Sequence, residues 1–158
     1  MSSRLPRTSA RQAPENLAIL LREPFRAMTD DLMVRLAAHG HPEVRAAHGA
    51  VFEFLDDAGT RVSTLADRAR MTKQSMTELV AHLERHGYVE RVPDPADGRA
   101  KLVRATDRGR EVFAIAREAM RDVQDRLDDR LGAGRMATLR GLLQEVGDEL
   151  TPRVPATE

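Results

Sequence analysis

The sequence predicts a mainly α-helical fold that contains one small antiparallel β-hairpin. Two short helical patterns, residues 64–70 and 73–86, precede two runs of alternating apolar and polar residues. These runs, residues 88–92 and 101–105, have the alternation of half-buried strands. Apolar stripes at three- and four-residue steps flank the whole segment on both sides. We therefore expect a compact central module between helical flanks.

The first flank is predicted to be one long helix, preceded by a flexible basic tail. Residues 1–16 hold three arginines and lack the apolar stretch of a secretory signal. Pro24 predicts either a kink or a helix start near Glu23, and Gly40 and Pro42 supply stop signals. Residues 17–42 are therefore assigned to an N-terminal dimerisation helix. Its inner positions are Leu17, Leu21, Phe25, Met28, Leu32 and Leu36.

The central module is predicted to open with a helix over residues 43–57 that ends before Gly59. Ser63 is a suitable N-cap for the next short helix, and Thr72 for the helix that follows it. That last helix has one apolar stripe and an opposite face that is short and polar. Such a face suits the major groove of DNA, where a recognition helix reads bases mainly with its N-terminal residues.

The polar face supplies candidate DNA contacts. Gln74 is suited to adenine, and Lys73 to guanine or a phosphate. Glu78 can accept from cytosine or orient a nearby arginine, whereas Arg85 lies further along and suits a phosphate. An ordinary amphipathic surface helix has the same pattern, so the adjoining hairpin decides the interpretation. The candidates on this helix are Thr72, Lys73, Gln74, Ser75, Thr77, Glu78 and Arg85.

The hairpin favours DNA binding. Gly87 is a left-handed helix end, and the turn-forming run PDPADG places Arg99 at the predicted tip of the loop. A cation on a protruding hairpin suits the narrow, negative minor groove, although a lone arginine is often just solvated. Asp97 can pair with an arginine or serve the turn, and Lys101 completes the candidates. The element order is that of a winged helix-turn-helix, with residues 43–108 as the DNA-binding domain.

The second flank is predicted to form C-terminal dimerisation helices over residues 109–150, broken near Gly132 and followed by a frayed tail at residues 151–158. The last helix has apolar residues spaced three and four apart, as in a coiled-coil seam. We expect the first and last helices to pack against a second copy, so that a homodimer presents two recognition helices to a pseudo-palindrome. The alternative is a monomer with a helical cap.

Charge is distributed unevenly along a chain whose formal net charge is zero. Residues 61–110 hold eleven basic and seven acidic residues, whereas residues 17–60 and 111–158 are each acidic overall. Lys73 and Lys101, the two lysines of the chain, both fall in the basic segment. This asymmetry favours a nucleic-acid partner for the central module.

The segment LADRARMTKQSMTELVAHLERHGYVERVPDPADGRAKLVRATDRGREV, residues 65–112, resembles the winged-helix transcription factors of the MarR (multiple antibiotic resistance regulator) family. The resemblance implies a homodimer with interlocked terminal helices and two winged lobes on palindromic DNA. Arg99 resembles the wing arginine that enters the minor groove, and Asp97 the aspartate that holds it. Lys73, Gln74, Ser75 and Thr77 fall where the recognition helix meets bases and phosphates.

The family resemblance also implies a small-molecule effector and, for this chain, a ligand-released repressor. Cysteine is absent, which excludes oxidant sensing through a thiol. Position favours an aromatic or phenolic effector, although the same residues at helical spacing are usual in a core. The residues concerned are Met28, Leu32, His48, Phe52 and Phe113.

Other classes of function are less well supported by the sequence. His39, His41 and His48 suggest a metal-responsive regulator, but the helix after the hairpin has no histidine, so neither a metal nor a cofactor is expected. No phosphate loop, HExxH or GxSxG motif points to an enzyme. A winged-helix protein-interaction module would carry apolar anchors on its recognition helix. No apolar run is long enough for a membrane span, and we expect a cytoplasmic, nucleoid-associated protein.

Overall fold

A computed structural model describes residues 16–150, so the tails predicted for residues 1–16 and 151–158 lie outside the described residues except for Asn16. The described chain divides into two compact units, residues 16–117 and residues 118–150. The predicted class, mainly helical with one antiparallel hairpin, is confirmed. The helices are α1 (Leu17–Ala38), α2 (Gly49–Phe52, after a 3₁₀ turn at Ala46–His48), α3 (Val62–Arg68), α4 (Lys73–Arg85), α5 (Asp107–Leu131) and α6 (Ala133–Leu150), and the strands are β1 (Val89–Asp94) and β2 (Asp97–Ala105).

Helix α1 begins at Leu17, so the predicted alternative of a start near Glu23 is wrong. The side chain of Asn16 accepts a hydrogen bond from the Ala18 amide at 3.0 Å and caps the helix eight residues before Pro24. Proline removes one hydrogen bond inside the helix, and that loss does not end it. The predicted stop is confirmed, because Gly40 adopts a left-handed φ of +88° just beyond Ala38.

The helix predicted over residues 43–57 is wrong in extent, since it is helical only from Ala46 to Phe52. Local side-chain bonds replace the helix beyond that point. The Thr60 hydroxyl accepts from the Asp56 amide at 2.9 Å and donates to the Asp56 carboxylate at 3.1 Å. Such bonds offer the backbone an alternative to the helical ladder. Gly59, at a φ of +96°, then turns the chain so that Thr60 pairs with Val103 of β2.

The helix-turn-helix pair α3 and α4 is present as predicted, with one cap misplaced. Helix α3 starts directly after Arg61 without a side-chain cap, so the N-cap predicted at Ser63 is wrong. Thr72 does cap α4, because its side chain accepts from the Ser75 amide. The predicted apolar stripe of α4 faces the core, where Met76, Val80 and Leu83 are fully buried.

The hairpin is longer and tighter than the sequence predicts. Strands β1 and β2 turn over two residues, 95 and 96, and Asp94 is paired with Asp97. The register then shifts, since Pro93 is paired with Lys101, and residues 98–100 form a bulge in β2. Arg99 therefore lies on this bulge, and the prediction that it lies at the tip of the hairpin is wrong. The turn forms at the earlier Pro-Ala pair because proline presets the backbone for a tight turn.

The core of the first unit forms beneath the helix-turn-helix and the hairpin. Tyr88, Val89 and Val103 bring the hairpin into contact with the apolar faces of α3 and α4. In the second unit, Gly132 adopts a φ of +89° and separates α5 from α6, as predicted. Most apolar side chains of α6 are exposed, whereas Met136 is buried. Among residues 16–150, no helix combines the length and the apolar character needed to cross a membrane.

Candidate nucleic-acid interface

The first turn of α4 presents an ordered polar surface. Thr72 accepts from the Ser75 amide at 3.1 Å and donates to the Ser75 hydroxyl at 2.9 Å. The Thr77 hydroxyl donates to the Lys73 carbonyl at 2.7 Å, which leaves its lone pairs free to accept. These bonds restrict the short side chains to defined rotamers before any ligand is bound.

The longer side chains of α4 extend from this surface into solvent. Gln74 and Glu78 are exposed, and their side chains are 3.4 Å apart, a weak contact that a base edge can replace. Lys73 and Arg85 are exposed at the two ends of the helix. The face therefore carries polar groups and no large apolar anchor, which is unfavourable for the protein-interaction alternative.

Ion pairing divides the eleven basic residues of segment 61–110 into two groups. Within the described residues, six of them contact carboxylates: Arg61, Arg68, Arg91, Arg104, Arg108 and Arg110. The rest have no carboxylate partner in the part of the chain that the structure describes, and all of them are exposed. We call these the unpaired cations: Arg70, Lys73, Arg85, Arg99 and Lys101. Four of the five are positions that the sequence predicts as DNA contacts.

The wing bulge presents Arg99 with a free guanidinium. Asp97 accepts a hydrogen bond from the Arg99 amide at 3.2 Å, so the contact is to the backbone of Arg99 and not to its side chain. The other oxygen of Asp97 lies 3.4 Å from Arg61. The aspartate thus shapes the bulge that carries the arginine, and it leaves the guanidinium available.

Arg61 is a wing-positioning residue that the sequence reasoning missed. Its Nε and Nη2 atoms donate to Oδ2 of Asp94 at 2.8 and 2.5 Å and connect the start of α3 to the end of β1. Asp94 is buried and also accepts from the Ala96 amide. The Ala96 amide and the Arg61 guanidinium lower the pKa of Asp94, and Asp94 raises the pKa of Arg61. Arg61 and Asp94 are 33 residues apart, so local spacing does not indicate the ion pair, and the sequence around Asp94 predicts only a turn.

A second network fixes the base of the wing to the start of α5. The Tyr88 hydroxyl donates to Glu43 at 2.8 Å, and Arg108 donates to Glu43 at 3.2 Å and to the Tyr88 oxygen at 3.0 Å. The hydrogen bond from Tyr88 lowers the pKa of Glu43, whereas burial raises the pKa of Tyr88. Arg108 also lies over the Tyr88 ring, 4.7 Å from its centre. The sequence reasoning assigned none of these residues a role.

Four of the five predicted effector residues have defined packing partners in the first unit. Phe52 and Phe113 meet edge to face at 5.2 Å and pack with Leu32 in the core, whereas His48 stacks on His82. A cavity of about 280 Å³ opens beside Phe113. Its lining residues are Leu55, Asp56, Asp57, Ala105, Arg110 and Phe113. Only Phe113 belongs to both sets.

The three histidines of the metal alternative lie in different surroundings. His39 contacts the Arg35 carbonyl, His41 is buried beside Tyr88 and Glu111, and His48 accepts from the Arg45 amide. Among residues 16–150, no group of three histidine or carboxylate side chains is arranged to hold a metal ion.

His48 is expected to make folding stability depend on pH. It is 2% exposed, and burial together with His82, Arg45 and His86 lowers its pKa to about 4. In the unfolded chain His48 has a pKa near 6.5, so it is protonated there at a higher pH than in the folded protein. The free energy of unfolding is therefore highest above pH 6.5 and falls as the pH drops toward 4. The expected loss reaches about 3 kcal/mol. Urea unfolding of the wild type and of His48→Asn at several pH values measures this loss. If the free energy of unfolding depends on pH equally in both proteins, the assignment to His48 is wrong.

Comparisons with known proteins agree with this geometry. A MarR family profile matches residues 44–100, which include α2, α3, α4, β1 and the start of β2. An HTH-type transcriptional regulator of Mycobacterium bovis is 41% identical over 58 residues. Those residues are 37% of this chain and 41% of that relative, so the match spans less than half of either protein.

Similarity to solved structures extends over most of the chain. The transcriptional regulator PA4135 is 28% identical, with a TM-score of 0.64 over 87% of this chain and 98% of that one. The transcriptional repressor CouR, solved with a 23-mer DNA duplex, is 24% identical, with a TM-score of 0.65 over 84% of this chain and 93% of that one. At that identity the likeness to CouR concerns the fold. The homologues and the fold are those of transcriptional regulators and not of enzymes. Residues 44–100 thus match the MarR family, and the fold of the described chain is similar to that of transcriptional regulators of known structure.

Proposed function

We propose that the protein is a homodimeric transcriptional regulator that binds a pseudo-palindromic DNA site and represses transcription until a small ligand releases it. The observation that carries the proposal is the set of unpaired cations. The fold pairs six basic residues of segment 61–110 with carboxylates and exposes the others around the recognition helix and the wing. An unpaired cation can replace the counterions of a phosphate without first losing an ion pair.

Two kinds of contact are proposed for each lobe. The first turn of α4 enters the major groove, where Gln74 and Lys73 meet base edges and Ser75 and Thr77 position the helix. The wing carries Arg99 to the adjacent minor groove, whose negative potential favours an inserted guanidinium. Lys101 and Arg85 contact the flanking phosphates. The short two-residue turn keeps the wing compact enough to lie along the DNA backbone.

The proposed dimer interface uses apolar side chains that a single chain leaves exposed. On α1, Phe25 is 66% exposed, and Leu17, Leu21 and Val34 are also exposed. On α6, Leu150 is 73% exposed, and Leu139, Leu142 and Leu143 are exposed with it. Long apolar faces of this kind are usual at protein interfaces and costly in water. A second copy of the chain is the occupant that we propose for both helices.

The proposed ligand is an aromatic or phenolic molecule that enters beside Phe113. The cavity there joins an aromatic ring and Leu55 to the polar residues Asp57 and Arg110. Because it adjoins Ala105 at the end of β2, an occupant would contact the strand that carries Arg99. Release of DNA would then follow from displacement of the wing. The proposed place of action is the cytoplasm, at the nucleoid.

Salt titration of DNA binding tests the proposal. We expect the dissociation constant for a labelled duplex of mixed sequence to rise steeply with salt. For each phosphate contacted, its logarithm should rise by about 0.9 per tenfold increase in salt concentration. Arg99→Ala should weaken binding to every sequence and reduce that slope by one phosphate equivalent or less per chain. Light scattering of the same sample should give two chains per particle. A monomer in light scattering would overturn the proposed dimer. A dissociation constant that does not change with salt would overturn the proposed contacts with phosphates.

Matched variants separate the wing from general charge. Arg104→Ala removes a basic side chain of the same strand that is paired with Glu90 at 2.7 Å, and it should leave the slope nearly unchanged. Gln74→Ala should alter the preference among sequences selected from a random pool, with a small effect on the slope. If Arg99→Ala and Arg104→Ala behave alike, the wing assignment is wrong.

A further inference from the structure

The turn between α3 and α4 contains a strained arginine. Arg70 has a φ of +52°, and among residues 16–150 it is the only residue other than glycine with a positive φ. In this left-handed region the Cβ atom of an L-residue approaches its own carbonyl oxygen, so glycine is favoured there. Some benefit must offset the strain if arginine is to occupy the position.

The backbone alone imposes this conformation. The Met71 amide donates to the Ala66 carbonyl at 2.9 Å, and the Arg70 amide donates to the Asp67 carbonyl at 3.1 Å. These two bonds form a Schellman motif, in which the residue after the helix end must be left-handed. Met71 then packs against the core. The motif needs no side chain at position 70, and glycine would form it with less strain.

The Arg70 side chain has no partner in the fold. It is exposed, and within the described residues its guanidinium makes no hydrogen bond or ion pair. Arg68, two residues earlier, contrasts with it, because Arg68 donates to the Phe54 carbonyl at 3.0 Å and to Asp56 at 2.9 Å. Folding therefore accounts for Arg68 and does not account for Arg70.

The position of Arg70 points to DNA. It lies two residues before Thr72, the N-cap of α4, and three before Lys73, so it adjoins the end of the helix that the proposed function places in the major groove. The backbone of DNA borders that groove, and a guanidinium can bind a phosphate through two parallel hydrogen bonds. A free arginine at the entrance of the helix is suited to that phosphate.

We infer that Arg70 binds a DNA phosphate at the entrance of the recognition helix, an additional contact that compensates for the strained turn. The inference rests on the proposed function and adds a residue to it. Folding stability and DNA affinity then favour different residues at position 70. Glycine is the better residue for the fold, and arginine is the better residue for binding.

Arg70→Gly tests the inference because the two demands predict opposite changes. The variant should raise the melting temperature by about 2 °C and weaken binding to a labelled duplex of mixed sequence about threefold to tenfold at low salt. It should also reduce the slope of the salt titration by about 0.9 per chain. Arg70→Lys, which keeps the charge, should retain the slope. Arg117→Gln on α5, another exposed arginine without an ion partner in residues 16–150, is the matched control and should retain both affinity and slope.

The outcomes separate this inference from the function on which it rests. If the wild type binds DNA with a salt dependence and Arg70→Gly keeps the same affinity and slope, Arg70 is not a DNA contact and the inference is wrong. An equal loss in Arg70→Gly and Arg117→Gln would also overturn it, since net charge alone would then explain the effect. If the wild type does not bind DNA, the proposed function fails first.

Discussion

Replacing Gly109 with alanine is expected to lower the free energy of unfolding by about 3 kcal/mol. A Cβ atom at this buried position would overlap the carbonyl oxygen of Tyr88 and lie 3.3 Å from the Ala105 side chain. That carbonyl cannot move aside easily, because it accepts the Thr106 amide and the Thr106 hydroxyl, each at 3.1 Å. The start of α5 would have to separate from the base of the wing. DNA binding should weaken as well, since the wing would lose its support.

Gly134→Ala is the matched control for this prediction. Gly134 lies in the first turn of α6, is exposed, and has nothing within 4 Å of the added methyl group. Alanine there should raise stability by up to about 1 kcal/mol, because it is the better helix former. Urea unfolding of both variants measures the difference. A Gly109→Ala protein as stable as the wild type would show that the close contact between α5 and Tyr88 is absent in solution.

Arg61→Ala is expected to weaken DNA binding by roughly five- to tenfold, although Arg61 itself is not assigned a DNA contact. Loss of the guanidinium leaves the buried Asp94 without its partner at the end of β1 and releases one of the two bonds of Asp97. The bulge that presents Arg99 then becomes mobile, and a mobile contact must be ordered on binding. Affinity falls for that reason, with the fold retained.

The proper control is Arg68→Ala, because Arg68 and Arg61 lie on or beside the same short helix and both side chains are 43% exposed in their ion pairs. Charge loss is equal in the two variants, so a larger loss of DNA affinity in Arg61→Ala is due to its contact with the wing.

A double-mutant cycle with Arg99→Ala tests whether Arg61 acts through Arg99. If Arg61 acts through Arg99, the double variant should bind about as well as Arg99→Ala alone. Fully additive losses would mean that Arg61 acts by another route.

Local signals in the sequence predicted the parts of the fold that depend on local interactions. The stripe of Met76, Val80 and Leu83, the cap at Thr72 and the left-handed end at Gly87 follow from spacing and residue type, and all three are confirmed. The same reasoning predicted four of the five unpaired cations as DNA contacts. Whether they bind DNA stays a prediction.

Non-local pairing explains where the sequence reasoning failed. The helix predicted over residues 43–57 ends early where Thr60 bonds locally to Asp56 and also pairs with Val103 of β2, and local spacing does not reveal the second contact. Arg61 finds Asp94 across more than thirty residues, and Arg108 joins Glu43 across more than sixty. The sequence does not single out Arg70, because residue type alone does not reveal its left-handed φ.

The bulge in β2 also bears on how the protein avoids association through its hairpin. A sheet of two strands has two free edges, and a regular free edge can pair with the same edge of another chain and start aggregation. On β2 that edge is interrupted at residues 98–100 and occupied at Val103 by Thr60. On β1, Pro93 lacks an amide donor. The wing can therefore protrude far enough to reach DNA without offering other wings a template for strand addition.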